Sequence, residues 1–284
     1  MYENVIAMVN NKGGVGKTSI ACNIAGIAAR SSWKTLLIEL DKQGDAATEL
    51  GYEDDPVYTD DLGQSICDAL LDITDQLKPI LIDQRPNLDV IPAGPRMESL
   101  DIALGSKGID QGALARKLEP IQQDYDLIII DCSPHGGPLV NQAFGAARGI
   151  VCPTQLDRAS YKGISRLGGN FQTARAGGNE HIALLGIALF GIDSKATKFS
   201  AIQKADLAKS IGDVAPIFES TIRSSKVAAG HMRSSGLLAY EYEESKSHAN
   251  AAESLAGDYT KLAEEILHRL DEVNYPLLIN NKEK

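Results

Sequence analysis

The chain has 284 residues, 43% of them hydrophobic, which is enough for one large α/β domain or two small ones with a real core. No apolar run approaches the ~18 residues of a membrane span, and the N-terminus enters its first apolar run without a charged segment and cleavage site, so a cytoplasmic location is expected. A net charge of −10 argues against wholesale coating of nucleic acid, and Cys22, Cys67, Cys132 and Cys152 stand singly, without Cys-x-x-Cys spacing, as buried reduced thiols would.

The first predicted element is a strand over residues 5–9, a short apolar run suited to burial in a parallel sheet. An alanine-rich helix comes next, over residues 21–29. Between them Gly13, Gly14 and Gly16 can take backbone angles closed to other residues, turning consecutive N–H groups toward an anion. The helix that starts near Lys17 brings its positive dipole end to the same point. In a phosphate-binding loop of this kind, Lys17 reaches the β- and γ-phosphates and the Thr18 hydroxyl holds Mg²⁺, so residues 13–19, Val15 and Ser19 included, are expected to bind ATP. The strict pattern fails at Asn11, which stands at its first glycine position.

A second strand, residues 35–40, delivers Asp41 to the strand end at which open α/β sheets bind ligands. Residues 52–62, acidic and polar with one proline, read as an exposed connection. Ile66, Ala69, Leu70 and Ile73 fall at helical spacing and predict an amphipathic helix over 65–77. A strand over 88–92 and a helix over 116–121 come next. The most apolar run, 127–130, then ends in Asp131 and has the form of a Walker B strand, placing a carboxylate beside Mg²⁺ or its waters. The glycine- and proline-rich residues 132–138 are positioned to sense a γ-phosphate, with His135 as a surface residue. Strands over 149–153 and 182–190 enclose a long helix over 159–176. This alternation predicts a doubly wound, mostly parallel sheet flanked by helices, P-loop NTPase-like, in one domain over 1–284. From Arg158 to Arg233 eleven basic residues face five acidic ones, a local excess suited to an anionic partner. The last predicted helix, 249–273, carries Leu255, Tyr259, Leu262, Ile266 and Leu270 on one side, and Pro276 breaks the pattern beyond it, leaving a tail from about residue 274.

Lys12-Gly13-Gly14-Val15-Gly16-Lys17-Thr18, with a lysine at each side of the loop, resembles the deviant Walker A motif of the ParA/MinD ATPases. By that resemblance Lys17 acts in its own subunit, while Lys12 reaches the phosphates bound by a partner subunit, so that ATP binding and homodimerisation are coupled. Residues 39–45 resemble the family's D-x-D-x-Q-G-N element, with Asp41 at the second carboxylate, which helps hold the attacking water; Glu39 replaces the first Asp and Asp45 the Asn. Residues 132–138 resemble its switch region, with Ser133 where a second proline is usual. Residues 221–226 match a segment implicated in non-specific DNA binding, which nominates Arg223 and Lys226.

The resemblance implies a DNA-partitioning ATPase, nucleoid-associated when bound to ATP and released by hydrolysis that a ParB-like adaptor stimulates. With a first strand at residue 5, no N-terminal helix-turn-helix domain is expected. Glu264, Glu265, Asp271 and Glu272 argue against the basic membrane-binding helix of MinD-type relatives, so no membrane partner is expected. The other readings are a MinD-like positioning protein without DNA binding and a metabolic ATP-dependent enzyme on the same fold.

Overall fold

The computed structural model describes residues 3–73, 76–82, 84–193, 197–211, 215–245 and 254–282. Among them, eight strands form one sheet: β1 (Val5–Met8), β2 (Thr35–Leu40), β3 (Ile80–Leu81), β4 (Leu88–Ile91), β5 (Leu127–Cys132), β6 (Gly149–Thr154), β7 (Ala183–Ile192) and β8 (Ile217–Arg223). Their order is β3-β4-β2-β5-β1-β6-β7-β8, and only the β3–β4 pair is antiparallel. The expected doubly wound sheet is therefore present.

Alternation along the central strands explains why helices cover both faces. Val5, Ala7, Ile128 and Ile130 belong to one buried cluster, and Ile6, Met8, Leu127 and Ile129 to the other. The helices are α1 (Lys17–Arg30), α2 (Asp45–Leu50), α3 (Pro56–Asp61), α4 (Gln64–Leu70), α5 (Leu100–Ser106), α6 (Ala113–Leu118), α7 (Pro138–Ala146), α8 (Arg158–Ala176), α9 (Thr197–Ile211), α10 (Lys226–Ser235), α11 (Ala239–Ser245) and α12 (Leu255–Lys282). Ile20 and Ile24 of α1, Met232 of α10 and Tyr259, Leu262 and Ile266 of α12 pack on one face; Ile66 of α4, Leu114 of α6 and Phe144 of α7 pack on the other. Since β1 lies between β5 and β6, the strand order reverses beside it, and the carboxyl ends of these three strands open on the switch point where such sheets bind ligands.

Three expectations differ in detail. The helix predicted over 65–77 ends at Leu70: Asp72 takes a left-handed φ of 61°, the Ile73 N–H returns to the Asp68 carbonyl, and Ile73 is left exposed. Residues 52–62 are more than a connection. The Asp55 carboxylate accepts from Val57 N at 2.8 Å and caps α3 with Pro56 at its first position, while the buried rings of Tyr52 and Tyr58 meet edge to face at 5.2 Å. The last helix starts at Leu255, where the Ser254 hydroxyl accepts from Gly257 N at 3.0 Å, and it runs through Pro276 to Lys282, over the stretch read as a tail. No helix among the described residues is long and apolar enough to cross a membrane.

One buried cation ties the periphery to this frame. Arg85 donates to both carboxylate oxygens of Glu241, at 2.9 and 2.7 Å, to the Leu50 carbonyl at 2.5 Å and to the Gly236 carbonyl at 2.8 Å. It thereby joins the end of α2, the turn after α10 and the start of α11. Arg85→Met leaves Glu241 without its counter-charge and should lower stability by about 3 kcal/mol in urea denaturation. A change within about 0.5 kcal/mol, the range of ordinary surface substitutions, would show that the contact is incidental.

Candidate functional site

The loop between β1 and α1 takes its shape from glycine and from two polar clamps. Gly14 and Gly16 have φ of 71° and 85°, and a Cβ on Gly16 would run into the ring of Phe190. The buried Asn10 amide donates to the Pro153 carbonyl at 2.6 Å and to Thr154 Oγ1 at 3.1 Å, and its oxygen accepts from Lys12 N at 3.0 Å. Gln155 closes the other side, donating to the Gly14 carbonyl at 3.0 Å. The end of β6 thus fixes the loop through side chains that carry no glycine signature in the sequence.

Lys17 is buried, with Nζ donating to the Lys12 carbonyl at 3.3 Å. Burial lowers its pKa, and the negative charge of Asp131 opposes that shift. Thr18 Oγ1 donates to Asp131 Oδ2 at 2.6 Å. Register makes this meeting possible, because Met8 at the end of β1 pairs with Asp131 in β5. Asp131 is fully buried, and its Oδ1 has no hydrogen-bond partner. Desolvation raises its pKa to about 7 against the pull of the Thr18 hydroxyl and Lys17.

The second carboxylate pair divides its work. Glu39, fully buried, accepts from Ala46 N at 2.9 Å and from Ala93 N at 3.4 Å, and so positions the start of α2 and the loop after β4. Burial holds its pKa well above the carboxylate range. Asp41 lines the cleft and accepts from Gln43 N at 3.2 Å. Lys12, at the opposite side of the loop, turns onto its own subunit: Nζ donates to Asp157 and to Gln155 Oε1 at 3.4 Å. His135 is exposed.

The cleft has a volume of about 490 Å³ and joins elements distant in sequence. Gly13, Lys17 and Thr18 line it together with Phe190, Arg223, Lys226 and Arg233. The stretch nominated as a DNA contact therefore forms a wall of the cleft. Arg223 is turned onto Asp258, donating from N at 3.0 Å, Nε at 2.6 Å and Nη2 at 2.8 Å, whereas Lys226 is exposed at the first position of α10. Of the basic stretch from Arg158, Lys195 and the side chains of Arg158, Lys162, Arg166 and Lys198 lie outside the described residues. Sequence reasoning gave no site role to Asn10, Gln155, Glu49 or Arg233 and did not find the strand β8; the apolar pair Ile217-Phe218 and the β-branched pair Thr221-Ile222 were the available signal for β8.

The donor set fits Mg-nucleotide. A loop of backbone N–H groups at the start of a helix and a buried lysine suit phosphate, and a hydroxyl beside an unpartnered carboxylate oxygen suits a Mg²⁺ ion that keeps most of its waters. Among the described residues no cluster of three His, Cys, Asp or Glu offers a protein-only metal cage. Magnesium would then depend on phosphate oxygens for part of its shell.

A family model described as an AAA domain matches residues 3–184. The sporulation initiation inhibitor protein Soj of Bacillus subtilis is 34% identical over 191 residues, covering 67% of this chain and 74% of that protein. The chromosome-partitioning ATPase Soj of Thermus thermophilus is 30% identical over 271 residues, 94% of this chain and 96% of its own. Among solved structures, the septum site-determining protein MinD of Pyrococcus horikoshii, complexed with Mg-ADP, superposes with a TM-score of 0.69 at 20% identity, covering 93% of this chain and 95% of that one, a likeness of fold.

The raised pKa of Asp131 has a defined consequence for stability. An acid whose folded pKa lies above its unfolded value stabilises the fold relative to its ionised form at low pH, and that contribution is lost as pH rises, here between about 4 and about 7. In metal-free, nucleotide-free protein, Asp131→Asn should therefore raise Tm relative to wild type, by a margin that grows across this window and then levels off. A margin independent of pH would mean that Asp131 is already ionised at the low end.

Proposed function

The chain belongs to the ParA/Soj family of ATPases, and on that basis we propose that it is a DNA-partitioning ATPase whose nucleotide state controls a homodimer and its hold on non-specific DNA. The observation that carries the nucleotide half is the contact between Thr18 and the buried Asp131, whose other oxygen is unpartnered, next to the cleft that Lys17 and Thr18 line.

Bound Mg-ATP supplies the γ-phosphoryl group, whose transfer to water gives ADP and phosphate. The amides of residues 13–19 bind the phosphate chain, and Lys17 balances its charge. Thr18 and Asp131 would hold Mg²⁺, which would offset the charge of the phosphate oxygens. Asp41, with one oxygen engaged by Gln43 N, presents the other to orient the attacking water. Lys12 must exchange Asp157 for phosphate on a partner subunit to neutralise charge developing in the transition state. Dimerisation then completes the site, and a ParB-like adaptor would act by stabilising that completed arrangement.

Lys226 supports the DNA half, because it stands exposed at the start of α10 while also lining the nucleotide cleft. Arg223 contributes only if it leaves Asp258, since a paired guanidinium has little charge to offer a phosphate. A cytoplasmic protein that gathers on the nucleoid when bound to ATP follows from this reading.

Fluorescence anisotropy on non-specific duplex DNA checks it. Binding should require ATP and Mg²⁺ and should weaken about tenfold or more between roughly 50 and 200 mM salt. Lys226→Ala should weaken it for every sequence alike, and Lys12→Ala should leave the protein monomeric with ATP in sedimentation velocity. Absence of DNA binding in every nucleotide state would sink the partitioning reading.

A further inference from the structure

The wall of the cleft beside the phosphate-binding loop contains a charge arrangement that the roles above do not use. Ser19, in the first turn of α1, donates its hydroxyl to Glu49 Oε1 at 2.9 Å. Glu49 is 5% exposed. The same oxygen accepts from Arg233 Nε at 3.2 Å, and Arg233 Nη2 lies 3.2 Å from Asp45 Oδ1. Ser19, Asp45, Glu49 and Arg233 all line the cleft with Lys17 and Thr18. Glu49 and Asp45 sit on α2, and Arg233 arrives from the last turn of α10, more than 180 residues later in the chain.

A buried carboxylate bonded to Ser19, the residue after the phosphate-binding Thr18, works against the function of that helix end. Its charge opposes an anion drawn there by the helix dipole and the loop amides, and the low-polarity surroundings strengthen the repulsion. Glu49 also takes the single proton that the Ser19 hydroxyl could offer to a phosphate oxygen. The guanidinium offsets the first effect by standing between two acids as their shared cation. Arg233 is half exposed at its side chain, so shortening it removes a charge without opening a hole in the core.

We propose that Arg233 is a positioning residue for nucleotide binding, which neutralises Glu49 and Asp45 so that the Ser19 end of the loop accepts phosphate; this rests on the nucleotide reading of the cleft. Nucleotide affinity then depends on a contact between α2 and α10, two helices whose C-terminal ends Arg85 also joins.

Equilibrium titration of a fluorescent ATP analogue and of its ADP counterpart, with Mg²⁺ at low ionic strength, separates this from a purely structural role. Arg233→Ala should weaken both nucleotides about tenfold or more, because Glu49 is left uncompensated. Glu49→Gln alone should bind at least as tightly as wild type. Adding Glu49→Gln to Arg233→Ala should restore affinity to within about threefold of wild type, since the repelling charge is gone. Thermal melts of the same proteins without nucleotide check that each is folded. Wild-type affinity in Arg233→Ala, or a double variant no better than the single one, overturns the inference while leaving the nucleotide site intact. Failure of the wild type to bind either nucleotide overturns both.

Discussion

A carboxylate buried at the end of a central strand is costly unless a cation or donors answer it, and Asp131 receives only a partial answer from the protein itself. Thr18 satisfies one oxygen and leaves the other bare, with Lys17 as the nearest compensating charge. The parallel register that sets Met8 beside Asp131 makes this arrangement unavoidable, because the loop that ends β1 must then open directly over the carboxylate. Much of the fold serves that one juxtaposition. The strands on either side carry apolar side chains to both helical layers, Asn10 and Gln155 pin the loop to β6, and Glu39 fixes the start of α2 on the far side.

The cleft carries both signs of charge, with Lys17, Arg223, Lys226 and Arg233 facing Asp41, Asp45 and Glu49. Asp41, Asp45 and Glu49 line the cleft above the buried Asp131, and several of the basic groups nearby are already committed: Lys12 to Asp157, Arg223 to Asp258 and Arg233 to Glu49 and Asp45. Such a cleft favours an anion that brings its own divalent cation over a bare one. On the proposed function, a committed cation such as Lys12 would exchange its partner for an anion on a second subunit. Lys12 illustrates the point, because its present partners lie on the same chain while the role implied by its motif lies on another.

The parts legible in the sequence are those encoded by local chemistry. Glycines with a flanking Lys17-Thr18 define the loop, and a run of aliphatic residues ending in Asp131 defines the strand that meets it. Strands over most of the sheet were legible for the same reason, being fully buried and therefore continuously apolar. The opposite wall of the cleft was not legible. It is assembled from β8 and α10, whose residues 221–233 read as a basic surface stretch because nothing local says that Arg223 will find Asp258 or that Arg233 will find Glu49. The short helix α3 was hidden by its acidic face, although Asp55-Pro56 carried a start signal, and the end of α4 was hidden because Asp72 adopts a left-handed conformation more usual for glycine. Pairings across more than a hundred residues lie outside what periodicity can reveal.

The role of Asp131 and Thr18 in holding the metal of a Mg-nucleotide complex is open to isothermal titration calorimetry of ATP into wild type and Asp131→Ala, each in excess Mg²⁺ and again in EDTA. The expected result is a wild-type affinity at least about tenfold higher with Mg²⁺ than in EDTA, and an Asp131→Ala affinity in which that difference is largely lost. A wild-type affinity indifferent to Mg²⁺, or an undiminished Mg²⁺ effect in Asp131→Ala, would contradict it.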